Sequence, residues 1–182
     1  MDEFLYGQLK RLRKACTKAD IAELKDFGED VAEKAFLANR PEMLNLAVVA
    51  YSIAKFEEKP YIVKGKQWPA QYKKILEQLD EYMRAAKDEQ EEECYEMLAE
   101  MVEEFEEFSY ASSRFRSTVV EKARIKAATQ VYAHGASLSV AAEFAGVPKE
   151  ELAKYIGVTK LPEKYETYSV KERLQTAREL FS

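Results

Sequence analysis

Apolar residues in the first stretch of the chain fall at Leu5, Leu9, Leu12 and Cys16, steps of three and four that predict a helix. Lys10, Arg11, Arg13 and Lys14 form a basic cluster between them. A second helix is predicted from about Asp20, with Ile21, Leu24, Phe27, Val31, Ala35 and Phe36 on one side. Asn39-Arg40-Pro41 breaks it, and Pro41 suits the opening of the next helix. That segment, 43–56, is apolar nearly all round, which places it at the centre of an N-terminal core. Pro60 stops it, and 61–67, with Gly65, reads as loop with at most a short extended piece at Tyr61-Ile62-Val63. Trp68-Pro69 opens a fourth helix to about Ala86, with Tyr72, Ile75, Leu76, Leu79, Tyr82 and Met83 on its apolar face. Trp68 itself reads as a staple between loop and core.

From 88 to 107 there are eleven acidic residues and no basic one. Cys94, Leu98, Met101, Phe105 and Phe108 step by four and three within this run, and Ser112, Phe115 and Val119 continue the series. Such heptad spacing predicts one long amphipathic helix over 88–135, or two separated near 109–113. Past that point Arg114, Arg116, Lys122, Arg124 and Lys126 stand against Glu121 alone, and Gly135 suits the C-terminal cap after His134. Ser169 and Glu172 form a capping box ahead of a final helix through Leu174, Ala177, Leu180 and Phe181. The expectation is an all-α fold, a multi-helix bundle with one long amphipathic helix and a C-terminal helix pair. Its segments are 1–87, 88–135 and 136–182, either as separate units or as one domain.

Composition agrees with a helical globule. Of 182 residues, 47% are hydrophobic and 34% charged, with only 6 Gly and 5 Pro to build turns. Glu and Lys dominate the charged set and Asn occurs twice, which points to a thermophilic source. The net charge of −5 divides into +2 for 1–87, −11 for 88–107 and +4 for 108–182, so the acidity is confined to one segment. Cys16 and Cys94 have no metal-ligand spacing and read as buried, reduced thiols. The N-terminus has no signal-peptide pattern and no apolar run approaches the roughly 20 residues of a membrane span, so a cytoplasmic protein is expected.

The most informative segment is 138–157. Two short crossing helices need a small residue at the crossing, and Ala142 stands four positions before Gly146, which suits a turn at positive φ. Ala141, Ala145, Val147, Leu152 and Tyr155 fall where residues packed between the helices are needed. Pro148 suits the start of the second helix and Gly157 its end. The run Ser-Leu-Ser-Val-Ala-Ala-Glu-Phe-Ala-Gly-Val-Pro-Lys-Glu-Glu-Leu resembles helix-turn-helix regulators of prokaryotes, and most of all the segment of small antitoxin-type proteins. The resemblance covers about 20 residues of the 182.

That resemblance implies DNA binding. The outward side chains of the second helix would be Lys149, Glu150, Ala153 and Lys154, with Ser137 and Ser139 donating to phosphates. Arg114, Arg116, Arg124 and Lys126 would add a basic face, although a solvated helix face explains the same run. Against DNA stand Glu150, Glu151 and the chain's acidic pI near 5.2. The competing expectation is a non-enzymatic helical interaction module, antitoxin-like or adaptor, whose helix pair serves packing. Glu103, Glu104, Glu106 and Glu107 would then meet a basic protein partner. A homodimer fits either case. With His134 the single histidine and no phosphate-binding glycine motif, no catalytic residue, metal or cofactor is expected.

Overall fold

Helix α1 (Glu3–Thr17) forms on the predicted stripe, and Leu5, Leu9, Leu12 and Cys16 are all fully buried. The computed structural model describes residues 3–88, 90–111 and 118–159, and no strand occurs among them. Ala19 turns the chain at φ 48°, a left-handed conformation unusual for a residue with a Cβ. Asp20 then caps α2 (Ile21–Leu37), its carboxylate accepting from the Glu23 N–H at 3.0 Å. Asn39, at φ 52°, ends α2 in the same left-handed way, and a 3-10 turn at Pro41–Met43 leads into α3 (Leu44–Glu57).

Eleven of the fourteen residues of α3 are buried, as its uniform apolarity predicts. Helices α2, α6 (Glu91–Ala111) and α7 (Val119–Ala133) all pack against it. At its end Phe56 anchors an aromatic cluster, edge-on to Phe105 at 5.6 Å and to Phe108 at 5.3 Å. Trp68 joins the cluster and donates its indole N–H to Glu57 at 3.0 Å, so it does staple the preceding segment to the core.

The segment expected to be loop or extended is instead a single helical turn, α4 (Pro60–Val63). Pro60 at its first position presets φ, and the Val63 N–H donates to the Lys59 carbonyl at 3.1 Å. Ile62 is thereby buried while Tyr61 and Val63 stay exposed. Helix α5 (Trp68–Lys87) packs on α1, where Arg13 grips both Asp80 oxygens at 2.9 and 3.0 Å and the Tyr72 hydroxyl donates to the Cys16 carbonyl at 2.6 Å.

Helix α6 ends at Ala111, and α7 begins with its own capping box. The Glu121 N–H donates to the Thr118 hydroxyl at 3.0 Å and the Thr118 N–H to the Glu121 carboxylate at 2.7 Å. Ala123, Ala127 and Ala128 give α7 a small-residue face toward the core. At its end the His134 ring is buried, and its Nδ1 lies 3.2 Å from Glu33 on α2. Two short helices follow, α8 (Leu138–Ala145) and α9 (Lys149–Thr159). The expected capping box at Ser169 and the final helix lie outside the described residues. No helix among the described residues is long and apolar enough to cross a membrane.

Cys16 and Cys94 are buried and form no disulfide. Burial pushes the Cys16 thiol up to about 12, so at neutral pH its reactive thiolate is scarce. Both thiols are expected to resist a thiol-specific disulfide reagent in the native protein and to react fully in denaturant; fast native labelling would contradict the burial. Ala19→Gly is expected to raise stability by about 0.5–1 kcal/mol, since glycine meets no Cβ penalty at positive φ. The urea midpoint checks it.

Candidate functional site

Helices α7, α8 and α9 pack on one another at the C-terminal end of the described chain. Ser137 caps α8, its hydroxyl accepting from the Val140 N–H at 3.2 Å. Ala141, Ala142 and Ala145 are buried, and Phe144 meets Phe36 of α2 edge-on at 5.9 Å. Gly146 closes α8 at φ 62° and ψ 41°. A Cβ there would meet nothing within 4 Å, so the demand for glycine comes from the backbone alone. The Val147 N–H donates back to the Ala142 carbonyl at 3.0 Å, which completes the turn.

Pro148 stands just before α9, its carbonyl accepting from the Glu151 and Leu152 N–H groups at 3.1 Å. Leu152 is fully buried and Ile156, one turn on, is half-buried. Tyr155 was the expected partner in this packing, but it is 38% exposed. The position four after Leu152 returns to the same face, so Ile156 takes that place and Tyr155 is rotated to the flank. Nor does Gly157 end the helix, which runs through it to Thr159.

The sequence-predicted residues divide by location. Lys149, Glu150, Ala153 and Lys154 are exposed together on α9, and Ser139 is exposed on α8. Ser137 is exposed too, with its oxygen engaged in the cap. On α7, Arg124 is half-buried and Lys126 binds Glu29 of α2 at 3.0 Å. Arg114 and Arg116 lie outside the described residues. Of the acidic set, Glu103 and Glu107 are exposed and Glu106 is half-buried. Glu104 is held by Lys74 of α5 at 2.8 Å and by Gln78. Farther up α6, Glu91 is held by Arg40 at 2.5 Å, so part of the acidic run is neutralised inside the molecule.

The sequence did not reveal a cavity of about 700 Å³ between α9 and the bundle. Lys25 and Glu29 of α2, Tyr51, Ala54 and Lys55 of α3, and Lys122, Ala123, Ile125 and Lys126 of α7 form its walls. Glu151, Lys154, Tyr155 and Val158 close it from α9. Their steps of three, one and three mark one helix face, and that periodicity was the available signal.

Five lysines thus face two glutamates. Glu58, behind the wall, binds Lys55 at 2.7 Å and also Lys25. Burial pushes the Glu58 carboxyl up, but the hydrogen bonds and charges of the two lysines outweigh it and leave its pKa below the ordinary value. Tyr51 is 3% exposed, and its hydroxyl has no hydrogen-bond partner among the described residues. Burial first, then the charge of Glu29, raises its pKa and keeps the phenol protonated. Its ring lies so close over Gly28 that a Cβ there would stand 2.8 Å from it.

Among the described residues no group of three or more His, Cys, Asp or Glu is placed to hold a metal. No known protein family, curated protein or solved structure matched the chain.

Gly146→Ala is expected to cost about 1 kcal/mol, the left-handed backbone penalty without a steric one. A lower urea midpoint at unchanged m-value checks it; a neutral result would mean the turn relaxes freely.

Proposed function

We propose that this chain is a DNA-binding regulator whose α8–turn–α9 segment works as a helix-turn-helix, with the N-terminal bundle serving dimerisation or sensing. The carrying observation is the attachment of α9. It is held through Leu152 and Ile156, and its other described side chains are exposed. A helix mounted in that way can enter a major groove, its N-terminal residues meeting base edges. The left-handed Gly146 turn, the buried alanines of α8 and the resemblance to antitoxin-type regulators support the same reading.

In this arrangement Lys149 and Lys154 attract the duplex, Ser137 and Ser139 reach phosphates, and Glu150 accepts from a cytosine amino group. A second reading, a helical interaction module for a basic partner, is favoured by Glu103, Glu107 and the 65% exposed Tyr110 on α6.

Selection from a pool of random-sequence duplexes at low salt is expected to retain a bound fraction whose affinity falls steeply as salt rises. Lys149→Ala with Lys154→Ala is expected to weaken binding and to flatten the salt slope by about one for each phosphate that is no longer neutralised. No salt-dependent binding to any duplex would overturn the reading.

A further inference from the structure

We propose that residues 161–168 of this chain turn back from the end of α9 and lie in the cavity between α9 and the bundle. At about 700 Å³ the cavity has room for a few bulky side chains, and its recess is made by small residues, Ala54 of α3 and Ala123 of α7. Ile125 of α7 and Val158 of α9 extend the apolar lining to either side. Val158 is 78% exposed, the most exposed large apolar side chain among the described residues. Beside an apolar recess it is no isolated surface valine but one rim of a continuous apolar surface, the kind that another segment covers.

The chain itself supplies the occupant. Residues 160–182 follow α9 and lie outside the described residues, and the first of them leave from the cavity's own rim. A helix carried on through Pro162 would set the proline ring against the Val158 carbonyl, so the chain has to turn beside the cavity. Leu161, Tyr165 and Tyr168 then bring three large apolar bodies close behind Val158. An extended stretch of that length reaches about 25 Å, enough to cross from α9 to the bundle. The signs of charge agree, with Glu163 and Glu166 against Lys164 in the segment and five lysines against two glutamates in the wall. A separate molecule must give up its free motion to bind, whereas a tethered segment meets the cavity at an effective concentration on the order of millimolar. Seated there, the segment would join α9 to α3 and α7 and reinforce the hold of Leu152 and Ile156.

The proposal stands apart from the DNA reading, and no duplex enters its test. Hydrogen exchange of the full chain is followed by mass spectrometry at two protein concentrations. The amides of 163–168 are expected to exchange about tenfold or more slower than those of a free peptide of the same sequence. Leu161→Asp with Tyr165→Asp is expected to abolish that protection while the amides of α3 keep theirs. Two wall variants test where the segment sits. Val158→Asp alters a side chain that is already exposed, so the bundle should fold as before. Ile125→Glu acts from α7, far away in the chain, where it leaves the local conformation of the segment untouched. Each is expected to lower the protection about tenfold. Exchange at the free-peptide rate, or protection that survives Val158→Asp, would overturn the proposal. So would protection that a folded Ile125→Glu variant retains, which marks a mere prolongation of α9. Protection lost on dilution would overturn it too, by giving the cavity to the segment of a second copy.

Discussion

Helix α3 has almost no face left for water, and the arrangement of its neighbours follows from that. A helix apolar on every side is stable only when other helices surround it, and α2, α6 and α7 each turn an apolar face inward to do so. The constraint explains why α7 carries alanines where it meets the core, since a surrounded helix leaves little room for bulk. It also explains the aromatic cluster at the end of α3. There Phe56 must be covered by Phe105, Phe108 and Trp68 because the chain turns away into α4. The same central helix carries Tyr51 into the cavity wall, with its hydroxyl buried.

Around this core the charges set register more than they add stability. Arg11 with Glu23 and Asp30, and Arg13 with Asp80, link different helices, and Arg40 ties the connection after α2 to Glu91 of α6, all of them partly exposed. Pairs of that kind contribute on the order of 0.2–1 kcal/mol apiece. Their value lies in geometry, because each fixes which turn of one helix faces which turn of another. The acidic run of α6 is best understood in the same terms, with Glu91 and Glu104 anchoring it to the bundle and Glu103 and Glu107 left to solvent.

Much of this was legible in the sequence because periodic burial leaves a periodic pattern. Leu5, Leu9, Leu12 and Cys16, the uniform apolarity of 43–56, and the Gly146 turn all carried their meaning locally. What could not be read depended on tertiary position. The turn of α4 is too short to show a period, and nothing near His134 in the chain names Glu33 as its neighbour, a hundred residues away. Tyr155 has the apolar character of a packing residue, yet a one-residue rotation hands that role to Ile156. The cavity draws on α2, α3, α7 and α9, so no window of sequence contains it.

The slender seat of α9 has a consequence for how substitutions are tolerated there. With Leu152 fully buried and Ile156 only half so, the remaining side chains of the helix contribute little to the folded core. Its outward positions can drift in identity while the bundle folds unchanged, and its backbone amides should exchange with solvent long before those of α3. A surface uncoupled in this way can be re-specified one residue at a time, whereas a change within α3 would be felt by every helix that touches it.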